Sequence, residues 1–336
     1  MKTNLMTVAA LLLTFLGTVL ISKRLIPILK SHKMGQRILE IGPRWHKGKE
    51  GTPTMGGLAF IFPVVLVGIA GAVYIALTDG IRQTLPLIFT LTFGLAGGLI
   101  GCVDDLAKLR KKQNEGLTAP QKFLLQVLVS ALYLLGMTLV CGVDTTVFLP
   151  FIGKSLDFGL FYYVVSMLLL TGIMNSVNLT DGIDGLCSSV TLIVGVFFLA
   201  SGYLNGLAEP ELPLLLLGAV LIGGCAGFLV YNFYPARVFM GDTGSLFLGG
   251  LVVGGAFMMN NPLIVLVVGI VYVIETASVI LQVGYFKLTH GKRLFKMSPI
   301  HHHFEKCGWS EIKIVVAASL VTAAAAVLSL VFGLRG

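Results

Sequence analysis

The run L-P-L-L-L-L-G-A-V-L-I-G-G-C-A-G-F-L-V-Y, residues Leu212–Tyr231, decides the fold class. It contains no charged side chain, and a helix of about 17–25 apolar residues crosses the hydrocarbon layer of a bilayer. Nine further segments are similarly apolar, eight of them without a charged side chain and one with Glu275 alone, and none shows the period-2 alternation of a membrane β-barrel strand. The sequence therefore predicts about ten transmembrane helices: Leu5–Ser22, Met55–Thr78, Thr84–Val103, Phe123–Val143, Phe158–Met174, Gly185–Leu204, Leu212–Tyr231, Thr243–Met259, Pro262–Phe286 and Ile314–Leu334.

The overall composition leads to the same class. The 336 residues are 56% hydrophobic and only 12% charged, with a mean hydropathy of +0.91. A soluble domain carries about 25% charged residues, so a water-soluble globule is excluded. The glycines follow no collagen triplet and polar low-complexity tracts are absent, which excludes fibrous and disordered classes. We predict an all-α polytopic integral membrane protein in which residues 1–336 form a single transmembrane domain.

Basic residues are distributed unequally between the two sides of the predicted helices. Of the 24 Lys and Arg residues, 20 fall in the connections on one side and 4 on the other. The positive-inside rule places the basic side in the cytoplasm and therefore both termini outside. This topology accounts for the net charge of +8, so we expect a lipid bilayer as partner and no nucleic acid. The five cysteines form no C-x-x-C pair and predict no disulfide framework.

Small residues recur at a spacing of four inside several predicted helices. Such pairs let two membrane helices approach closely, so we expect them to mark helix contacts. The pairs are Gly94 and Gly98, Gly97 and Gly101, Gly223 and Gly227, and Gly250 and Gly254.

Carboxylates gather at the predicted cytoplasmic ends of the helices. Five aspartates lie there in three different connections, and the opposite face has no comparable cluster. Neighbouring carboxylates oppose each other's ionisation, so they need cations nearby. Mg²⁺ is the economical partner when carboxylates and a phosphate substrate supply the ligands. One such aspartate alone would be interpreted as a helix cap, but five on one face predict an active site on the cytoplasmic side. They are Asp104, Asp105, Asp181, Asp184 and Asp242.

Three motifs carry these acids. In D-D-L-A-K, one more helical turn would bring Lys108 onto the face of Asp104 or Asp105, although a surface ion pair explains the motif equally well. The amides, acids and glycines of N-S-V-N-L-T-D-G-I-D-G, residues Asn175–Gly185, suit contacts to a nucleotide. The glycines of F-M-G-D-T-G-S, residues Phe239–Ser245, allow the backbone to approach an oxyanion at the start of a helix, although a simple turn has the same pattern.

Two further runs contain residue types that suit phosphate chemistry. The three consecutive histidines His301–His303 cannot all face one way. A zinc site with Cys307 lacks a recognised ligand spacing, so contact with phosphate or a general acid/base role is favoured. The run Lys49–Gly57 supplies a lysine, hydroxyl groups and glycine-rich backbone, or else a capped entry to the second helix.

Five motifs follow one another in an order that resembles the phospho-N-acetylmuramoyl-pentapeptide transferase family, and the resemblance covers essentially the whole chain. It implies ten helices with outward termini. It also implies a Mg²⁺-dependent enzyme of the bacterial cytoplasmic membrane that transfers phospho-MurNAc-pentapeptide from UDP-MurNAc-pentapeptide to undecaprenyl phosphate, giving lipid I and UMP. The motifs are G-T-P-T-M-G-G at Gly51–Gly57, D-D-x-x-K at Asp104–Lys108, N-x-x-N-x-T-D-G-x-D-G at Asn175–Gly185, F-M-G-D-T-G-S at Phe239–Ser245 and H-H-H-F-E at His301–Glu305.

The resemblance also implies roles for single residues. Asp242 would ligate Mg²⁺, Asp104 or Asp105 would deprotonate or orient the lipid phosphate, and His301 would be a further catalytic group. The identity of the base, the acting histidine, direct transfer against a covalent phospho-enzyme, and a homodimer all stay open. The residues implied for substrate binding are Lys49, Thr54, Lys108, Asn175, Asn178, Asp181, Asp184, Asn232, Phe239, His302 and His303.

Two other functions fit parts of the sequence. A polyprenyl-phosphate HexNAc-1-phosphate transferase of the same superfamily shares the aspartate motifs but has a different histidine loop, and H-H-H-F-E favours the muramoyl branch. An ion-coupled transporter would place charges near the bilayer midplane and show repeat-related broken helices. Glu275, midway along the ninth segment, is the residue that invites this interpretation.

The ninth segment, Pro262–Phe286, is longer than a bilayer requires. As one straight helix it would extend about 37 Å, against roughly 30 Å of hydrocarbon, so it must tilt, bend or project. We predict a bend at Glu275 or near Gly284 that opens a lipid-facing groove for the polyprenyl chain, with simple tilt as the alternative.

Overall fold

The computed structural model describes residues 2–32, 49, 51–111, 116–149, 151–204 and 211–334. Within these ranges the chain forms α-helices, a short 3-10 turn at Pro262–Ile264 and a hairpin of two strands. The elements are α1 (Lys2–Ser31), α2 (Leu58–Thr78), α3 (Ile81–Lys111), α4 (Ala119–Leu139), β1 (Thr146–Leu149), β2 (Lys154–Asp157), α5 (Phe161–Thr180), α6 (Leu186–Leu204), α7 (Leu212–Asn232), α8 (Gly241–Met258), α9 (Val265–Val268), α10 (Ile270–Leu288), α11 (Ile300–Lys306) and α12 (Glu311–Phe332).

Ten helices in the described ranges are long and apolar enough to cross a membrane. They are α1 to α8, α10 and α12, and they follow the order of the ten hydrophobic segments. The prediction of an all-α, multi-pass membrane protein is therefore confirmed. The assignment of helix ends to the cytoplasmic or outer side stays a prediction from the distribution of basic residues.

Some helices continue past the apolar segments that predicted them. Helix α1 runs to Ser31 rather than Ser22, and α3 runs to Lys111 rather than Val103. Lys, Arg and Leu are good helix formers, so a helix does not end where the chain leaves the hydrocarbon. In α3 this extension holds Asp104–Lys108 on a rigid helix instead of a loop.

Helices α3 and α8 pack almost backbone against backbone, and we call this contact the α3–α8 seam. A Cβ atom on Gly250 of α8 would lie 2.8 Å from the Cα atom of Gly94 in α3. Nearer the aspartates, a Cβ atom on Gly101 would overlap the main-chain carbonyl of Asp242. The predicted close contact at these glycines is confirmed. Its consequence is that the end of α3 lies directly against the first turn of α8.

Helices α1 and α7 use the same kind of contact. A Cβ atom on Gly227 of α7 would lie 2.7 Å from the carbonyl oxygen of Phe15, and one on Gly223 would overlap the carbonyl of Leu11. Without side chains at these positions the two backbones can approach closely, which is how membrane helices gain dispersion contacts. The first helix is thereby bound to the middle of the bundle.

The predicted ninth segment is not one helix. Its 3-10 turn Pro262–Ile264 leads into α9, which ends at Val268, and α10 begins after Gly269. The break does not coincide with the predicted bend at Glu275 or near Gly284, since both residues lie inside α10, and a bend there stays a prediction. The break falls at Gly269, where φ is −93° and ψ is 23°, away from helical dihedrals, and a Cβ atom there would lie 2.6 Å from the Val265 carbonyl oxygen.

The strands β1 and β2 form an antiparallel hairpin between α4 and α5, in which Thr146 lies opposite Asp157. Both strands have only four residues, and no pattern in the sequence predicts them. Val147 and Phe148 of β1 are buried, whereas β2 is exposed along its whole length. The hairpin lies at the end of the bundle away from the aspartates, since α4 begins and α5 ends near them.

Candidate active site

The three acids Asp104, Asp105 and Asp242 meet at the end of the α3–α8 seam. Each contributes one carboxylate oxygen, and these oxygens lie within 4.8 Å of one another. Asp104 and Asp105 are buried, and Asp242 is partly buried. The meeting follows from the glycines of the seam, which allow the first turn of α8 to lie against α3 where the aspartates project. We call this group the carboxylate cluster.

Within the cluster, Asp105 caps the first turn of α8. Its Oδ2 atom accepts hydrogen bonds from the Thr243 backbone N–H at 2.9 Å and from the Thr243 hydroxyl at 2.7 Å. Its Oδ1 atom accepts a longer hydrogen bond, 3.3 Å, from the Asp242 backbone N–H. Gly241, just before, has φ of +70°, and a Cβ atom there would lie 2.6 Å from Asp105 Oδ2, so the turn requires glycine. A carboxylate at a helix N-terminus is favourably placed for the helix dipole.

Asp104 has different partners from Asp105. Its Oδ1 atom accepts a hydrogen bond from the Leu117 backbone N–H at 2.7 Å, which fixes Leu117 just before α4. Its Oδ2 atom lies 2.7 Å from Lys108 Nζ, and Lys108 is 4.0 Å from Asp105 Oδ1. The predicted approach of Lys108 to these aspartates at i+4 and i+3 is confirmed.

Asp242 lies at the junction of several helices. Its Oδ2 atom is 2.8 Å from Lys108 Nζ and 2.8 Å from Lys122 Nζ, and its Oδ1 atom accepts a hydrogen bond of 2.8 Å from Asn178. Sequence reasoning missed Lys122, which was counted only among the basic residues that set the topology. A useful signal was its position in the first turn of α4, at the same predicted membrane surface as the aspartates.

The donor set of the carboxylate cluster suits a hard divalent cation. Carboxylate oxygens are the ligands that such ions prefer, and three of them converge here from two helices. Lys108 and Lys122 compensate part of the negative charge at the same place. The cluster could therefore hold a metal ion, and the two lysines give it the mixed charge that binding of a polyanionic phosphate needs.

Asp181 follows the end of α5 and differs from the other acids in its surroundings. In the described ranges no hydrogen-bond donor or cation contacts its side chain, which is partly buried. Burial raises the pKa of Asp181 well above its ordinary value, and the negative charges of Asp242, Asp105 and Asp184 raise this pKa further.

Asp184 is neutralised by a second network that sequence reasoning did not foresee. Its Oδ1 atom lies 2.7 Å from Lys49 Nζ, and its Oδ2 atom accepts a hydrogen bond of 2.8 Å from the Ala236 backbone N–H. Glu311, in the first turn of α12, lies 2.6 Å from the same Lys49 Nζ and accepts a hydrogen bond of 3.0 Å from the Asp184 backbone N–H. Glu311 was missed because an acid in the first turn of a helix has an ordinary role at the helix dipole.

The glycine-rich run before α2 pairs with the motif before α8. Phe239 donates its backbone N–H to the Pro53 carbonyl at 2.9 Å and accepts a hydrogen bond from the Gly56 N–H at 2.8 Å. This pairing places Thr54 beside Gly241. A Cβ atom on Gly241 would lie 2.7 Å from the Thr54 hydroxyl oxygen. Two motifs far apart in the sequence therefore form one surface beside the carboxylate cluster.

Two of the predicted amides have their hydrogen bonds satisfied within the protein. Asn175 and Gln126 exchange reciprocal amide hydrogen bonds of 2.7 and 3.1 Å between α5 and α4. Asn232 donates to the Val238 carbonyl at 3.0 Å and accepts from the Ser188 hydroxyl at 3.1 Å. In this structure both amides join elements of the site, and only Asn178 of the three predicted amides contacts the carboxylate cluster directly.

The three histidines diverge, as predicted. His301 is buried, and its Nδ1 atom is 2.9 Å from Glu275 Oε2 in α10. His302 Nδ1 lies 2.6 Å from Glu305 Oε2 within α11. His303 Nδ1 accepts a hydrogen bond of 3.1 Å from the backbone N–H of Lys296.

Comparison with known proteins agrees with the motifs. The family model described as Glycosyl transferase family 4 matches residues 87–260, and phospho-N-acetylmuramoyl-pentapeptide-transferase signature 1 matches residues 49–61. A Clostridium perfringens (strain 13 / Type A) protein described as Phospho-N-acetylmuramoyl-pentapeptide-transferase is 43% identical over 315 residues, which are 94% of this chain and 95% of that relative. The chain belongs to the phospho-N-acetylmuramoyl-pentapeptide-transferase family. A relative of the same description from Carboxydothermus hydrogenoformans is 45% identical over 322 residues, 94% of this chain and 95% of its own length.

The residues matched by the two family models surround the carboxylate cluster. Signature 1 spans the glycine-rich run that pairs with Phe239, and the family 4 model spans α3 to α8, which carry the carboxylate cluster. Lys49, the first residue of the signature, contacts Asp184 in the second network. The family signature thus coincides with side chains that lie around one site.

Proposed function

We propose that this protein transfers phospho-MurNAc-pentapeptide from UDP-MurNAc-pentapeptide to undecaprenyl phosphate, which yields lipid I and UMP. It would do so as one transmembrane transferase domain, residues 1–336, in the bacterial cytoplasmic membrane, with the site on the cytoplasmic face. The observation that carries the proposal is the convergence of three carboxylates and two lysines at the seam of a family member.

In direct transfer the protein itself forms no covalent bond to the substrates. An oxygen of the lipid phosphate attacks the sugar-linked phosphorus of the donor, a new P–O bond forms, and the bond from that phosphorus to the bridging oxygen breaks as UMP leaves. Positioning and charge neutralisation are the main contributions of an enzyme to such a transfer. Lys108 and Lys122 are placed to neutralise phosphate oxygens beside the cluster.

Mg²⁺ is the proposed cofactor, with Asp242 as a ligand. The hard oxygen donors of the cluster fit this ion, which when bound neutralises charge on the diphosphate. Asn178 contacts Asp242 through a hydrogen bond and so fixes its carboxylate. Lys49, Asp184 and Glu311 of the second network, together with Asp181, are proposed to surround the nucleotide.

The two adjacent aspartates differ in their freedom to act on the acceptor lipid. Both oxygens of Asp105 accept hydrogen bonds from the first turn of α8. The Oδ2 atom of Asp104 instead faces the side chains of Lys108 and Lys122, and the Asp104 carboxyl also lies against that of Asp242. We therefore propose Asp104 as the group that orients or deprotonates the lipid phosphate, and Asp105 as the group that holds α8 and Asp242.

The test is release of UMP by the purified protein in nanodiscs that contain undecaprenyl phosphate. We expect release from UDP-MurNAc-pentapeptide with Mg²⁺ and none with EDTA or without the lipid. UDP-GlcNAc serves as the matched donor for the HexNAc-1-phosphate alternative. Release from UDP-GlcNAc alone would assign the protein to that branch, and no release from either donor would overturn the proposal.

A further inference from the structure

A carboxylate in the interior of α10 holds a side chain of the histidine run. Glu275 and His301 are both almost completely buried, with side-chain exposures of 4% and 1%. The Glu275 Oε2 atom lies 2.9 Å from His301 Nδ1 and 3.5 Å from the His301 backbone nitrogen. A buried carboxylate is costly unless it is paired, and among the described residues His301 provides the side-chain contact.

This contact determines which nitrogen of His301 is free. A carboxylate accepts a hydrogen bond, so Nδ1 carries the proton and Nε2 is left for another partner. The Nε2 atom is buried, and the part of the chain that the structure describes offers it no hydrogen-bond partner. An orphaned polar atom at such a depth needs a functional explanation, because leaving it unpaired costs free energy.

The free nitrogen faces the turn between α5 and α6. A Cβ atom on Gly182 would overlap His301 Nε2, so only glycine permits the imidazole to lie there. Gly182 is itself exposed and stands between Asp181 and Asp184. Nε2 therefore lies directly beneath the exposed Gly182, and a ligand bound at this turn reaches it only where the backbone at Gly182 shifts aside. Nε2 accepts a hydrogen bond from a hydroxyl in the neutral ring and donates one to a phosphoryl oxygen in the protonated ring.

We infer that Glu275 is a positioning residue, which orients His301 so that Nε2 contacts the nucleotide-linked substrate at the Asp181–Asp184 turn. This inference rests on the function proposed above. It also explains the acid in the apolar ninth segment without ion transport, since an ionisable residue inside a membrane helix marks a functional site and here its partner is identified.

The experiment is a double-mutant cycle in the UMP-release assay. Glu275→Leu removes the carboxylate, and His301→Asn keeps a donor for Glu275 while removing Nε2. We expect Glu275→Leu to raise the KM for UDP-MurNAc-pentapeptide about 10-fold, the loss of roughly one hydrogen bond, and to change the KM for undecaprenyl phosphate less than about 2-fold. In the His301→Asn background, Glu275→Leu should cause no further rise, because residues that act through each other are not additive.

A conservative variant and a matched control complete the design. Glu275→Gln keeps an acceptor for Nδ1 and should restore most of the affinity. Thr276→Val is the control, because Thr276 donates a hydrogen bond of 2.7 Å to Ser176 between α10 and α5 and does not touch His301. It should leave both KM values unchanged. Glu275→Asp, which keeps the charge and shortens the reach, replaces the leucine variant if that variant does not fold.

Two results would overturn the inference. One is an additive cycle, and the other is a rise in both KM values that Thr276→Val reproduces, since either would mean that Glu275 only stabilises α10. If His301→Asn abolishes turnover, the same cycle is measured as the Kd of UDP-MurNAc-pentapeptide by calorimetry. Failure of the proposed function is distinct, because the unmodified protein would then release no UMP.

Discussion

The α3–α8 seam and the α10–α11 junction build two sides of the site in opposite ways. At the seam, glycines bring two long helices into backbone contact and three carboxylates meet as a result. At the junction, a seven-residue helix is connected to α10 by one buried pair, Glu275 and His301. Backbone contact at the seam holds several side chains rigidly, whereas the buried pair at the junction orients one side chain.

The two regions should therefore respond differently to mutation. A change at the seam displaces Asp242 relative to Asp104 and Asp105, so it should lower turnover for every substrate. A change near the junction should alter the binding of one substrate and leave the other unaffected. Substitutions in each region test this difference in response.

Asp242→Asn should lower kcat roughly 100- to 1,000-fold, because a carboxamide is a poor ligand for a hard cation and a weaker partner for Lys108 and Lys122. The measurement is UMP release across a Mg²⁺ titration, with Asp144→Asn at the exposed hairpin as control. Near-normal turnover with an unchanged Mg²⁺ dependence would remove Asp242 from the proposed metal site.

Gly101→Ala tests the seam itself. The added methyl group overlaps the Asp242 carbonyl, so the helices must separate, which costs about 1–3 kcal/mol of stability and should lower kcat at least roughly 10-fold. Gly172→Ala is the matched control, because nothing lies within 4 Å of a Cβ atom there. If both variants keep full activity and the same apparent Tm, close packing at the seam does not position the cluster.

Asp104→Asn and Asp105→Asn should affect different properties, the first the pH–rate profile and the second the stability. The Asp104 variant should change the pH–rate profile while its apparent Tm stays near that of the unmodified protein. The Asp105 variant loses a carboxylate cap on α8 and should lower stability by about 1 kcal/mol. Equal, mild losses of activity for both variants would instead indicate simple solvation of a helix end.

Bulky substitution on the lipid-facing side of α10 tests the predicted groove for the polyprenyl chain. Val283 is exposed on α10, and Val283→Trp should raise the KM for undecaprenyl phosphate about 3- to 10-fold without changing that for the nucleotide. Val316→Trp, on the exposed face of α12, is the control. Equal shifts in both KM values would place the groove elsewhere.

Asp181→Asn should change how stability depends on pH. Because the folded-state pKa of Asp181 is raised, the unfolded chain loses this proton first, and stability falls as pH rises from the ordinary pKa to the folded one. The variant lacks this penalty, so its apparent Tm should exceed that of the unmodified protein more at pH 8 than at pH 5, without divalent cations. Asp157→Asn is the opposite control, because hydrogen bonds from Thr145 and Gly159 lower the pKa of Asp157. A difference in Tm that does not vary with pH would refute the prediction.

The amino-acid sequence alone predicts the membrane class, the ten spans and most residues of the candidate site. These features are local or periodic: the transfer free energy of an apolar run needs no neighbour, and Gly94 and Gly98 show a helix contact by their spacing alone. The D-D-x-x-K spacing likewise predicted the approach of Lys108 to Asp104, because both lie on one helix face.

The pairing of groups across helices becomes visible only in the folded bundle. Lys122 reaches Asp242 across 120 positions, Glu311 reaches Lys49 across 262, and Glu275 reaches His301 across 26. The same held for the break at Gly269, which the apolar pattern of the ninth segment concealed. Partner choice depends on helix crossings and on which charges are buried together, and these are properties of the packed bundle that no single segment encodes.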